Sequence, residues 1–500
     1  MDSWSLIDTY KRWRYAVETD FHGLDVSATE LKTIDLTYDG CDRFLPFNRS
    51  PQEARIKSAI NHDNTLLAVV IGSDIDVYDL KTGKQGVFSG HADPVNEVAF
   101  LPGQPKKVVS WSHDNSISRS EDHRGAIIFW TVDDDLKEVK DKHVEMRRVE
   151  KASKSSVDHL QDLLDEHHLI VTLRDAEKNA LLTQLKNNLS RIVRQHSASD
   201  NVKLEGRLAS SFQAPLFNHA GDTLLYLPGP RPSSNGDEKW DIGLHHILSG
   251  TTKTLTGHRD AITWIGFSPD DTLVVSACWD GSFRVWDAKT GEEKFKWVTD
   301  IQNWAGAIRP DGTQFLGTDD NGAVRIWDLK TGEMVAKYEK GDHCKRYLDW
   351  SPDGRYIAVG GDLSGEITLF DTQALADESG QMAPIQTRVL DIKAVSNDEM
   401  IQYMVSSSLA VYNVKWEGNG HRLISGTHGI VAVEIVDFDL DVKWRIIPFE
   451  RTDDNEADWE RLPKTSVNGS PFRPGYLHLA SSDEIALVCH DGVRFWKLQA

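Results

Sequence analysis

The segment 257–291, GHRDAITWIGFSPDDTLVVSACWDGSFRVWDAKTG, is one copy of a unit that returns along the chain at a step of about forty residues. Three runs rich in β-branched and aromatic residues, ITWIGF, TLVVSAC and SFRVW, are separated by Pro, Asp and Gly where turns are needed. Ser268-Pro269-Asp270 returns as Arg309-Pro310-Asp311 and Ser351-Pro352-Asp353, and Trp286-Asp287 returns as Trp327-Asp328 and Phe370-Asp371. The turn Asp287-Ala288-Lys289-Thr290-Gly291 returns as Asp328-Leu329-Lys330-Thr331-Gly332 and as Asp79-Leu80-Lys81-Thr82-Gly83. A step of this size suits a four-stranded unit rather than a helical repeat, and such a unit buries its faces only by stacking on its neighbours. The repeat overrides the division into about three domains that 500 residues would otherwise suggest.

At these residues the chain resembles the WD-repeat family. The resemblance implies an all-β fold, a β-propeller of seven or eight blades, with eight favoured because each of the seven upstream units has four strands of its own. It also implies a hydrogen-bonded tetrad in a well-formed blade, which falls on His258, Ser276, Asp280 and Trp286 and, in an earlier unit, on His91, Ser110, Asp114 and Trp130. Buried carboxylate, imidazole and indole groups each need partners, and one chain of bonds supplies them all. The His/Ser/Asp combination is therefore expected to be structural rather than a hydrolytic triad. The unit at 299–340 has Gly317 and Asn321 at the Ser and Asp positions but keeps Trp327, and the next has Ser364 and Phe370 at the Asp and Trp positions. Packing must hold those two.

The formal net charge of −21 argues against binding nucleic acid or anionic membrane over the whole surface. Cys41, Cys278, Cys344 and Cys489 show neither a CxxC nor zinc-ligand spacing, so no disulfide framework or metal knuckle is expected. The opening MDSWSLIDTYKRWRYAVETD lacks an apolar signal-type core, and the run LLAVVI at 66–71 is too short to span a bilayer. A cytoplasmic or nuclear protein is expected.

In chain order, Trp4, Ile7, Tyr10, Trp13 and Val17 have helical spacing, which predicts an amphipathic helix within 1–30. Residues 31–132 then supply LKTIDLTY at 31–38, expected to close the ring by completing the last blade, and the first two blades. Residues 133–201 lack Pro and Gly and space Leu182, Leu185, Leu189 and Ile192 as a helix does. They predict an inserted helical arm, packed on the propeller or projecting in a coiled-coil-like manner for oligomerisation or partner capture. Residues 202–500 hold the remaining blades.

No GxSxG, GxxxxGK[ST], HExxH or GxGxxG-helix motif is present, so no catalytic residue, cofactor or metal ligand is expected. Asp437, Asp439 and Asp441 mimic the start of a calcium loop, but no Gly follows at the required place and Pro448 stands at the twelfth position. On a strand they would line one exposed face. His245 and His246 alternate across a strand and cannot share a metal.

In WD-repeat proteins, the residue before the tetrad Asp and those leading into the first strand of a blade face partners. Here those positions are His113, Trp279 and Asp320, and Arg259, Asp260, Asn303, Trp304, Lys345 and Arg346. Trp and Arg are enriched at binding hot spots. The expected function is a non-enzymatic scaffold that binds other proteins of unknown identity through the propeller top face and the helical insert. One alternative is the substrate receptor of a cullin-type ubiquitin ligase, from whose Trp-Asp-x-Arg signature Trp286-Asp287-Ala288-Lys289 and Trp327-Asp328-Leu329-Lys330 depart by a Lys that lacks Arg's planar fork. Another is an enzyme using the central funnel, which would need converging carboxylates, His or metal ligands.

Overall fold

Each repeat folds as an antiparallel meander, and the recurring turn residues show why. In the unit at 262–298 the strands Ile262–Phe267, Leu273–Cys278, Ser282–Asp287 and Glu293–Val298 pair in sequence order. The Ser268 hydroxyl oxygen accepts Leu273 N–H at 2.9 Å, and Asp270 accepts Thr272 N–H at 3.1 Å, closing the first turn. Asp287 accepts the N–H groups of Lys289 and Thr290, and Gly291 takes a φ of 83° that a β-carbon would oppose. Asp79 and Asp328 cap the equivalent turns in the same way. The Asp-x-Lys-Thr-Gly repeat is thus a repeated turn chemistry.

This computed structural model describes residue 24 and residues 31–499 except 39, 52–55, 92, 113–124, 138–202, 209–213, 230–239, 340–343, 362–364, 375–379, 389–410, 419, 428–432, 448–475 and 482. The expected helix within 1–30 and most of the expected arm at 133–201 lie outside the described residues. The arm's described start, 133–137, is a turn in which Asp133 N–H donates to Lys137 O at 2.9 Å. Leu136 there is buried against the outer strand Gln85–Ser89, so close that a β-carbon on Gly86 would lie 1.7 Å from Leu136 O. Among the described residues no helix is long and apolar enough to cross a membrane.

Among the described residues the strands make eight blades: 58–89, 95–208, 216–258, 262–298, 303–338, 345–388, 411–447, and 476–497 with 43–46, numbered 1 to 8 below. Blades 2 and 3 form one continuous sheet because Lys203–Leu208 pairs with Ala126–Ile128 through its first half and with Tyr226–Pro228 through its second. Eight apolar clusters hold the ring, one in each seam between successive blades, including Leu67, Val69 and Tyr78 of blade 1 against Ala486, Val488 and Phe495 of blade 8. A closed set of seams leaves no open end. Blades 8 and 1 also meet through Ser58 Oγ and His478 Nε2, 3.2 Å apart.

Ring closure departs from expectation. Lys32–Thr37 does not complete blade 8; it runs parallel to Val442–Ile447 as a fifth strand on blade 7. Its flanks explain the choice, because Leu31 is buried in the seam of blades 6 and 7 and Tyr38 in that of blades 7 and 8. Asp35 accepts both Nε and Nη2 of Arg445, at 2.8 and 2.9 Å. The closing strand is Arg43–Pro46, paired with Gly492–Phe495. Just after it, Arg49 binds Asp74 and the fully buried Asp76 of blade 1.

The three aspartates of 437–441 also differ from expectation. They form a turn rather than one face of a strand: Asp437 accepts Asp439 N–H and Leu440 N–H, and Arg422 grips it at 3.1 and 2.9 Å. The histidines of blade 3 diverge, His245 Nδ1 lying 3.0 Å from Thr252 Oγ1 and His246 Nδ1 2.9 Å from Ser249 Oγ.

Candidate functional site

In blade 4 the structure brings His258, Ser276, Asp280 and Trp286 into one chain of bonds. His258 Nδ1–H donates to Asp280 Oδ2 at 3.0 Å, so Nε2 is the acceptor for the Ser276 hydroxyl at 2.7 Å. The Ser276 oxygen accepts Trp286 Nε1–H at 3.1 Å. Burial holds the His258 pKa below the ordinary imidazole value, outweighing the pull of Asp280. Burial alone would raise the Asp280 carboxyl, but bonds from His258, Ser282 and Arg259 N–H hold it well below the usual range. A neutral imidazole whose two nitrogens are both engaged has no free base to offer a nucleophile. In blade 2, His91 Nε2 lies 2.7 Å from Ser110 Oγ, which accepts Trp130 Nε1–H at 2.7 Å; Asp114 and His113 lie outside the described residues.

His258, Cys278 and Asp280 offer donor atoms within 4.8 Å of one another. They do not suit a cation. Burial raises the Cys278 thiol pKa far above its ordinary value, its S–H donates to Asp260 O at 3.1 Å, and the Arg284 guanidinium lies 3.9 Å from Asp280. Arg284, not anticipated from sequence, is itself buried and donates to Glu293 Oε2 at 2.5 Å. Its only signal was its place four residues after the turn Asp.

One end of the ring is marked by a repeated irregularity. The first strand of five blades slips register at its second residue, between Val95 and Glu97, Ile262 and Trp264, Asn303 and Ala305, Lys345 and Tyr347, and Val411 and Asn413. Such bulges re-aim the unpaired side chain. The residues concerned are Asn96, Thr263, Trp304, Arg346 and Tyr412, at the end where Trp279-Asp280-Gly281 and Asp320-Asn321-Gly322 turn.

Three blades meet there. Trp279 of blade 4 packs edge-to-face on Trp304 of blade 5 with centroids 5.1 Å apart, and the Arg346 guanidinium of blade 6 sits 4.2 Å from the Trp304 ring centroid. Trp304 Nε1–H donates to Asp320 at 2.8 Å. Both indoles are half-buried, and the shielded Trp279 Nε1–H has no acceptor among the described residues. Arg259 is exposed beside this row, while half-buried Asp260 accepts Ala261 N–H at 2.7 Å.

Two expected contact residues do not belong to it. Asn303 is fully buried, its Oδ1 accepting the Thr299 hydroxyl at 2.8 Å, and Lys345 is buried with Nζ 3.2 Å from Glu366. Each sits on the inward side of the bulge that turns its neighbour outward.

The model of the family described as WD domain, G-beta repeat matches residues 249–287, which cover the tetrad of blade 4. The chain thus carries a WD repeat at these residues, within an all-β propeller fold. Ribosome assembly protein 4 of Chaetomium thermophilum is 31% identical to this chain over 91 residues, 18% of this chain and 14% of that relative. The matched stretch is thus a small part of either protein.

Proposed function

We propose that this WD-repeat protein is a non-enzymatic scaffold that binds a partner protein at the rim of blades 4 to 6. The observation that carries the reading is the continuous row Trp279–Trp304–Arg346, contributed by three blades and aimed outward by bulges and a tight turn. Aromatic and guanidinium groups at the centre of a rigid surface are what hot spots are made of. Asp320 fixes the Trp304 ring, so little side-chain freedom is lost on binding. The name of the matched relative supports a place in the assembly of a multi-component particle, in the cytoplasm or nucleus. Residues 133–201 are a second docking element in this proposal.

The test is capture by the tagged full chain, by Trp279→Ala/Trp304→Ala, and by a form lacking 138–200, each checked for unchanged thermal unfolding. Partners lost from the double substitution but kept by the deletion support the rim. Partners that the double substitution retains at wild-type level overturn it.

A further inference from the structure

The seam between blades 6 and 7 carries a polar crossing of a different kind from the tetrad. His421, at the start of the second strand of blade 7, has Nδ1 2.7 Å from Asp439 Oδ1 in its own blade and Nε2 3.1 Å from Asp353 Oδ2 in the Ser-Pro-Asp turn of blade 6. Both carboxylates are fixed before the ring reaches them. Asp353 Oδ1 accepts the Ser351 hydroxyl at 2.5 Å and Arg355 N–H at 2.9 Å. Asp439 Oδ2 accepts His421 N–H at 2.8 Å, and a β-carbon at Gly420 would lie 2.4 Å from that oxygen.

A neutral imidazole has one N–H and one lone pair. With a fixed carboxylate oxygen at each nitrogen, the neutral ring would face one of them lone pair to lone pair. Only the imidazolium donates to both. We propose that His421 is a proton-dependent clamp across the seam of blades 6 and 7, closed while the ring is charged and released from Asp353 when it loses its proton. His219 of blade 3 provides the contrast: its ring meets a carboxylate of the next blade, Asp271, through Nδ1 at 2.9 Å, with no second carboxylate at the other nitrogen among the described residues.

The charged and titratable surroundings favour the closed form. On the blade 6 side stand Asp353, Tyr356 with its ring edge-on at 5.0 Å, and Arg355, which lies over Tyr356 and is bound to Asp371. On the blade 7 side stand Asp439, and Arg422 held by Asp437. Each nearby arginine is thus matched to an aspartate of its own, leaving Asp353 and Asp439 to the imidazole. Partial burial would lower the His421 pKa, but the bonds to Asp439 and Asp353 outweigh it and raise the value above the ordinary one. The clamp therefore contributes in full below the ordinary imidazole pKa and is lost as pH rises through the elevated one.

The experiment is histidine-labelled NMR on the full chain, with His421→Gln identifying the resonance. The expected result is a midpoint above about 6.5, the ordinary histidine value, both ring nitrogens protonated below it, and a shift to a lower midpoint in Asp353→Asn. Urea unfolding of the wild type against His421→Gln should show the wild-type advantage disappearing across the same titration. A midpoint at or below the ordinary value, or one that Asp353→Asn leaves unmoved, overturns the clamp. Should His421→Gln not fold, Asp353→Asn and Asp439→Asn identify the resonance through their shifts.

Discussion

Replacing Ser276 by Ala removes the one atom on which two buried groups of blade 4 depend. Trp286 Nε1–H would lose its acceptor and His258 Nε2 its donor, at sites where Ser276 is fully buried and Trp286 and His258 are 2% and 3% exposed. Water cannot replace the hydroxyl without opening the seam to blade 3, which Trp286 helps to fill. A stranded buried donor or acceptor costs about 1–3 kcal/mol, so two cost about 2–6 kcal/mol. Urea unfolding followed by tryptophan fluorescence measures the total, and hydrogen exchange across 257–298 measures where the loss is felt. Trp286→Phe removes one of the two bonds, so the double substitution should fall short of the sum of the singles by about 1 kcal/mol or more. A loss below about 0.5 kcal/mol for Ser276→Ala, the level of an ordinary surface change, or strict additivity in the cycle, would refute the account of Ser276 as a shared hub.

Substitutions at Asp349 and at the Arg388–Glu434 pair test the seam of blades 6 and 7. Asp349 accepts Trp416 N–H at 2.9 Å across that seam, and burial pushes its pKa up to about 7 despite this bond. Because the folded value lies above the unfolded one, its stabilising contribution is complete below about pH 4 and lost as pH rises through 7, by up to about 4 kcal/mol. Asp349→Asn should flatten unfolding stability over that interval, and an unchanged slope would exclude the assignment. Arg388 and Glu434 form an ion pair that is 2% and 1% exposed, with Arg388 Nη2–H also donating to Gly365 O at 3.0 Å. Arg388→Met should cost about 3–5 kcal/mol by removing the counter-charge of buried Glu434, and Arg388→Met/Glu434→Leu should recover most of it; equal losses in both would contradict the argument.

What could be read in the sequence follows the division between local and non-local chemistry. The turns Asp79-Leu80-Lys81-Thr82-Gly83 and Asp287-Ala288-Lys289-Thr290-Gly291 are short-range devices, so their spacing disclosed the strands between them. Ring closure is decided by two ends of the chain meeting. LKTIDLTY reads as a strand correctly, but its place on blade 7 depends on where Leu31 and Tyr38 find apolar seams, and RFLP has no alternation to announce it. Trp279, Trp304 and Arg346 pack into one row at the bulged end of their blades, whereas Asn303 and Lys345, expected at the same face, are buried. A bulge reverses which side a side chain takes, and nothing in the amino acids at 303–305 or 345–347 signals one. Arg388 and Glu434 lie in different blades and could not be paired from their positions in the chain.

The polar network of blade 4 and the rim row are mechanically one system. Asp280, held by His258 and Ser282, accepts Arg259 N–H at 3.1 Å and so fixes the turn that carries Trp279. Blade 5 lacks the serine and aspartate of the tetrad, yet its turn is fixed by another route. Fully buried Asp319 accepts Asn321 N–H and Ala323 N–H at 3.0 and 3.1 Å and is bound by Arg325. That turn carries Asp320, which orients Trp304. Two different hydrogen-bond arrangements therefore hold two adjacent turns rigid, and the side chains they present meet each other. With the tetrad lost in blade 5, Asp319 takes over the role of fixing the turn that orients Trp304, so the geometry of the rim row depends on carboxylates lying behind it.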